Sequence, residues 1–416
     1  MQKLVGKFNE AKVFTNNIDT ETVLQIKTLL NQEFAKDSKI RIMPDTHAGK
    51  GCVIGTTMTL TDRAVPNLVG VDIGCGMLAA KLNVSEIDFQ KLDKVIRKKI
   101  PSGVKVRGRE IAQSNADKLF APVDIDRAFR SLGTLGGGNH FIEVDTDKNN
   151  NYWLVIHTGS RHLGVEVCEF YQNRAWRKIT GDICDDPYIL KRKIMDAVIK
   201  LKAEKRDRDI SKTIQQIKSE NKVKIKQNGE EVLLREFNGI PIELAYTEGE
   251  DFQNYIHDMK ITQEHACINR AVILNEICQY MEWTVSEKFE TIHNYIDTEK
   301  MILRKGAVSA EKGEKLIIPM NMRDGSLICI GKGNEDWNCS APHGAGRIMS
   351  RAQAKEKLNL ADFRDPMKGI WTSCVQDSTI DEAPMVYKPM DEIVENVKDT
   401  VDIIDIIKPV YNFKAN

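Results

Sequence analysis

Apolar positions in the first 180 residues fall in short runs broken by glycine clusters, the pattern of strands joined by loops. Strands are predicted at 52–60, 68–72, 77–82, 141–144 and 153–156, with one amphipathic helix over 85–99 (SEIDFQKLDKVIRKK). Between 185 and 235 glycine nearly vanishes and Lys, Glu, Ile and Arg dominate, which predicts a solvated helical pair. Inside that stretch two short runs, 223–226 and 231–234, flank Gln227-Asn228-Gly229-Glu230, a hairpin signal because Asn-Gly tolerates the positive φ of a tight type I′ turn. The stretch reads as a charged helical and hairpin arm, at about 185–235, grafted onto a core.

Beyond the arm, residues 256–287 carry a long 3.6-residue periodicity that predicts a buried helix. Glycine-punctuated strands follow at 315–330, and a helix start is predicted within 341–347. A helix over 390–408 would be broken by Pro409, leaving 410–414 as a last strand. Neither repeats nor a Pro/Ser-rich linker interrupt the chain, so it reads as one α+β domain over 1–416, β-sheets with flanking helices.

The 416 residues are 41% hydrophobic, enough for a large core, so disorder is not expected. Sixty basic and sixty acidic residues cancel, so a polyanion would have to meet a local basic patch rather than bulk charge. No secretory pattern opens the sequence and no stretch approaches the roughly 18 apolar residues of a membrane span, which predicts a soluble cytoplasmic protein without membrane partners. Nine cysteines without a CxxC pair suit reduced thiols and give no zinc-ribbon or thioredoxin signal.

GxxxxGK[ST] and GxGxxG are both absent, so neither a P-loop nor a Rossmann turn is supported. Lys226-Gln227-Asn228-Gly229 has the form of an adenylylated-lysine ligase string, but in a charged hairpin turn it reads as chance. Five of eight histidines, His47, His140, His157, His293 and His343, lie in loop-like strings with glycine, serine or asparagine, where functional side chains are presented. His257 and His265 sit on the long amphipathic helix and read as structural. Asp72 and Cys75, in Val71-Asp72-Ile73-Gly74-Cys75-Gly76, can converge on one cation, and a thiolate can bridge two. Ligand softness alone favours zinc, cobalt or iron over manganese there. The glycines before Asn139 and His140 expose backbone N–H groups to a phosphate, and His343-Gly344-Ala345-Gly346-Arg347 at a helix start would form a second anion site with Arg351. Spacing leaves the role of the His343 imidazole open: ligand, acid/base or nucleophile.

These strings, in this order, resemble the RtcB family of RNA ligases: PDTHAGKGCVIG (44–55), VGVDIGCGM (69–77), LGTLGGGNHFIEV (132–144), HTGSRHLG (157–164), HACINR (265–270), IHN (292–294), RKGA (304–307), SAPHGAGRIMSR (340–351) and the terminal Lys414. The resemblance implies an enzyme that joins RNA 3′-phosphate or 2′,3′-cyclic-phosphate ends to 5′-hydroxyl ends with GTP and two Mn²⁺ ions, in tRNA splicing or RNA repair. It implies two metal sites bridged by Cys75, one completed by Asp72 and His140, the other by His157 and His293. His343 would be the guanylylated nucleophile, oriented by Asp45. The guanylate pocket would draw on Asn139, His140, Phe141, Ile142, Glu143, His293, Asn294, Pro319, Met320, Asn321, Met322, Ser326, His343, Gly344, Ala345, Gly346 and Lys414. Arg161, Arg347 and Arg351 would meet RNA phosphates.

One departure stands out. Many members read Pro-Gly-Ser-Met-Gly where this chain has Pro319-Met320-Asn321-Met322-Arg323-Asp324-Gly325-Ser326, which replaces small donor-rich positions near the nucleotide. Two other readings compete: a dinuclear metal-dependent RNA end phosphatase or cyclic phosphodiesterase without ligation, and a non-catalytic RNA-binding protein. The second calls for an aromatic stacking platform, which 6% aromatics and no RNP-like string do not supply.

Overall fold

Alternate residues of the strand Gly76–Leu82 enter two different cores: Leu78, Ala80 and Leu82 pack on one side, Met77 and Ala79 on the other. A strand apolar on both faces belongs inside a sheet covered on both sides. The sheet has eight strands, running Val285–Ile292, Gly76–Leu82, Tyr152–Thr158, Phe141–Thr146, Val401–Lys414, Gly325–Gly331 and Lys315–Asn321, with Trp371–Thr372 paired in parallel onto Val401–Lys414. It curls until its ends meet, so that the Ile317 N–H donates to Thr291 Oγ1 at 3.1 Å and Ile317 joins Met77 in the inner core. The outer face is covered by the helices Phe89–Lys99 and Glu250–Met281 through Leu92, Ile96, Ile273 and Ile277. A six-stranded sheet, Gln2–Val5, Glu10–Val13, Ile40–His47, Ile54–Thr59, Ile302–Lys305 and Asn294–Asp297, closes the other side of the site. This is a computed structural model, and it describes residues 1–49, 51–181, 187–204, 206, 209–220, 224–227 and 230–414.

The α+β class agrees with the periodicity, and several boundaries move for physical reasons. Residues 66–69 form a short helix, Pro66–Val69, rather than part of a strand at 68–72: Pro66 presets the first helical φ and Gly70, at φ 97°, ends it. The helix expected over 85–99 starts at Phe89 because the Asp88 side chain caps it, accepting from the Lys91 N–H at 2.9 Å. The long helix runs Glu250–Met281, not 256–287. Glu250 and Asp251 suit its positive N-terminus, Glu282 turns left-handed at φ 61°, and the chain then becomes a strand. No helix starts within 341–347. Ser340–Pro342 is a strand, and the next helix, Arg351–Lys357, begins after a Ser350/Gln353 capping box. Finally, 390–408 is not one helix: Met390–Asn396 is helical, while β-branched residues from Val401 onward form the long strand Val401–Lys414. Pro409 is accommodated there by a register shift between Pro409 and Tyr411.

In the arm, the helices Pro187–Ala203 and Ile210–Glu220 are followed by the paired strands Lys224–Gln227 and Glu230–Leu233. The predicted turn residues Asn228 and Gly229 lie outside the described residues. Among the described residues no helix is long and apolar enough to cross a membrane, and the cysteines are free thiols.

Candidate active site

The turn after Gly70 and the start of the strand Gly76–Leu82 place Asp72 and Cys75 against two histidines from neighbouring strands. His157 lies opposite Met77 on Tyr152–Thr158, and His140 immediately precedes Phe141–Thr146. Cys75 Sγ is 3.3 Å from His157 Nε2 and 3.5 Å from His140 Nε2, and His140 Nε2 is 2.9 Å from Asp72 Oδ2. His293 follows the strand Val285–Ile292, and its ring meets that of His157 edge to face with centroids 5.1 Å apart. Two sets of converging donors result, Asp72/Cys75/His140 and Cys75/His157/His293, and they share Cys75.

Small residues permit this approach. A Cβ at Gly159 would stand 2.1 Å from Asp72 Oδ1, and one at Gly74, φ 71°, would stand 2.9 Å from the Gln263 backbone of the long helix. Burial, with neighbouring histidines adding to it, pushes His157 and His293 well below the ordinary imidazole range, so both present lone pairs. Burial and Asp72 push the Cys75 thiol well above its usual range. Burial would raise Asp72, but His140 beside it holds that carboxyl at about 2. A half-buried carboxylate and a buried thiol facing three imidazoles, with His140 Nδ1 and His293 Nδ1 lacking partners, form a donor set suited to divalent metal.

The His343 ring lies 4.9 Å from that of His293. Its Nδ1 is 2.6 Å from Asp45 Oδ2, and the same oxygen accepts the His343 backbone N–H at 3.2 Å. A carboxylate accepts, so Nδ1 carries the proton and Nε2 of the neutral ring carries the lone pair. Asp45 is fully buried on Ile40–His47.

A cavity of about 310 Å³ opens over these groups. Of the sequence-predicted residues it is lined by Asp72, Cys75, Asn139, Phe141, Glu143, His157, His293, Asn294, Pro319, Met320, Asn321, Met322, His343, Gly344, Ala345, Gly346, Arg347, Arg351 and Lys414. His140 and Asp45 support it from behind through Asp72 and His343. The Ile142 side chain does not line it: strand alternation sends Phe141 and Glu143 to the cavity and Ile142 into the core with Val144 and Leu154. Ser326 is also outside the lining, fully buried opposite Pro319 and Ile407 in its sheet. Arg161 stands behind the glycine loop, donating to Gly103 O at 2.7 Å and Thr134 Oγ1 at 3.0 Å. Arg347 and Arg351 are held by an acidic pair, with Arg351 Nη1 at 2.5 Å from Asp381 and 2.6 Å from Glu382. In the departing loop, the Asn321 amide donates to Asp324 at 2.8 Å and its oxygen accepts the Arg323 and Asp324 N–H groups.

Several residues of the site escaped the sequence reading. Beside His47, which the loop-histidine pattern singled out, the cavity is lined by Glu382, Tyr387 and Asn412, with Glu382 paired to Lys414 and Asn412 to Glu143. Their strings carry no metal-like or phosphate-like spacing. Arg270 and Asn269, which brace the loops carrying the donor sets, did carry a signal: they are polar on the buried stripe of the long helix.

The family model for the tRNA-splicing ligase RtcB matches residues 25–123 and 112–415. The chain is 28% identical over 422 residues to the RNA-splicing ligase RtcB of Escherichia coli K12, covering 90% of each sequence. It is 26% identical over 450 residues to the tRNA-splicing ligase RtcB of Archaeoglobus fulgidus, covering 86% of this chain and 83% of the relative. With the tRNA-splicing ligase RtcB of Aeropyrum pernix it shares 24% over 491 residues, 92% and 90% of the two chains.

Proposed function

The chain belongs to the RtcB family of RNA ligases, and we propose that it joins RNA 3′-phosphate or 2′,3′-cyclic-phosphate ends to 5′-hydroxyl ends at the expense of GTP, through a guanylylated His343. The observation that carries this reading is the doubly anchored Asp45–His343 contact at 2.6 Å beside the paired donor sets. On this reading residues 1–416 act as one cytoplasmic catalytic domain bearing the arm.

The two donor sets fit divalent ions, and the resemblance rather than ligand softness selects manganese. When bound, the ions would neutralise phosphate charge and lower the pKa of a coordinated water or hydroxyl. Asp72, Cys75 and His140 would hold one, and Cys75, His157 and His293 the other.

The remaining chemistry belongs to the chain's own residues. His343 Nε2 would attack the α-phosphorus of GTP, forming an N–P bond as pyrophosphate leaves, while Asp45 keeps the Nδ1 proton and steadies the developing positive ring. The RNA 3′-phosphate would then take GMP from His343 to give a 3′-pp-5′-G end. Attack by the 5′-hydroxyl on the RNA phosphorus would release GMP. Glu143 and Lys414 would face the guanine edge, with Asn139, Phe141, Asn294 and the Met320–Met322 wall around the nucleotide. Arg161, Arg347 and Arg351 would meet RNA phosphates.

The test is incubation with α-labelled GTP and Mn²⁺ followed by denaturation. Label retained on the protein and mapped to His343 supports the ligase. RNA end hydrolysis without any retained label supports the metal-dependent phosphatase or cyclic phosphodiesterase instead.

A further inference from the structure

Glu382 ends the short turn Asp377–Glu382 and is 2% exposed, yet every polar contact of its carboxylate goes to a group lining the cavity. Oε2 accepts from the Lys414 ammonium and from Tyr387 OH at 2.8 Å. Oε1 accepts from Arg351 at 2.6 Å and faces Arg347 at 3.5 Å. We propose that Glu382 is a positioning residue of the nucleotide site, fixing the Lys414 ammonium for the base and tying it to the two guanidiniums on the same wall. The proposal rests on the reading that this cavity receives a guanine nucleotide.

A long lysine side chain would otherwise sample many rotamers and lose that freedom on binding. One hydrogen committed to Glu382 fixes the ammonium and leaves its other two for a ligand oxygen. The Phe141 ring, 5.6 Å from Nζ, confines it from another side. Guanine offers O6 to such a donor, whereas adenine offers an amino group that cannot accept. Glu382 therefore sets base preference through Lys414 without needing to touch the base.

The experiment is a double-mutant cycle read by equilibrium binding of GTP and of ATP to the metal-loaded protein, for wild type, Glu382→Gln, Lys414→Met and the double variant. Glu382→Gln should weaken GTP about 10-fold and ATP less than about 3-fold, as expected for losing one charged hydrogen-bond anchor. In the Lys414→Met background the same change should have less than about a 2-fold effect on either nucleotide. Glu382→Asp keeps the charge but is one methylene too short to hold Lys414 and Arg351 together. It should lose an intermediate share of the preference, and it carries the same cycle if Glu382→Gln does not fold. An unchanged GTP-to-ATP ratio in these variants overturns the proposal, as does an equal loss with and without Lys414, or a wild-type chain that binds both nucleotides alike. Selective GTP binding without covalent label would refute the nucleophile assignment while leaving the role of Glu382 standing.

Discussion

Asp45 commits one oxygen to both the ring and the backbone of His343, so the histidine is fixed in position and tautomer together. Asp45→Asn would keep the shape but allow the amide to donate to Nδ1, placing the proton on Nε2. Guanylylation should fall by about 100-fold or more, with metal content unchanged by elemental analysis. At Cys75 one sulfur serves both donor sets, so Cys75→Ala should lower bound metal at both sites together, to about half or less of the wild-type total. Loss confined to one site would reject a bridging thiolate. Glu382 supplies a pH prediction. Burial works against its charge, but Lys414 and Arg351 hold it at about 2, below its ordinary 4.5. A depressed carboxyl contributes stability above pH 4.5 and loses it as pH falls through about 2, a pH-dependent part on the order of 3 kcal/mol. Urea unfolding should show the deficit of Glu382→Gln shrinking across that window, and a deficit that does not change with pH would contradict it.

The long helix Glu250–Met281 shows how an element builds a site it does not line. Its buried stripe includes Asp258, Thr262, His265, Asn269 and Arg270 among the apolar residues. Arg270 donates to Gly74 O at 2.8 Å and Thr158 O at 2.9 Å, next to the candidate metal donors Cys75 and His157. Asn269 accepts the Gly133 and Thr134 N–H groups, and His265 lies between Ser114 and Ser131, where burial brings it down to about 4. Arg270→Met would take the guanidinium away from both carbonyls and from Glu290. A loss of about 3–5 kcal/mol in unfolding free energy, with weakened metal binding, is expected, and denaturation with metal analysis measures both. Period-two and period-3.6 patterns made most elements legible, and the glycine and histidine strings pointed to the residues that converge as candidate metal donors. Where they failed, another interaction decided: Pro66 turned an apolar run helical, and β-branched residues carried 401–414 through a proline into a sheet. Glu382, Tyr387 and Asn412 were illegible because long-range packing, not local spacing, brings them to the cavity.

At the scale of the molecule, the charged arm leaves and rejoins the core at one place. Ile179, at the end of the helix His162–Thr180, and Leu234 both pack against the cluster of Ala175, Trp176 and Ala245. Replacing residues 184–232 with a short flexible linker should therefore leave metal content and guanylylation within about 3-fold of wild type, since loop closure changes slowly with length. Collapse of metal binding in that variant would place the arm within the catalytic unit. The curled sheet and the six-stranded sheet line one cavity that takes no residue from the arm, and His343 stands inside it. The most direct test is mass-spectrometric mapping after incubation with GTP and Mn²⁺. A GMP adduct on His343, absent from His343→Ala that retains its fold and metal, is the predicted result. No adduct, or one on another residue that persists in His343→Ala, would contradict it.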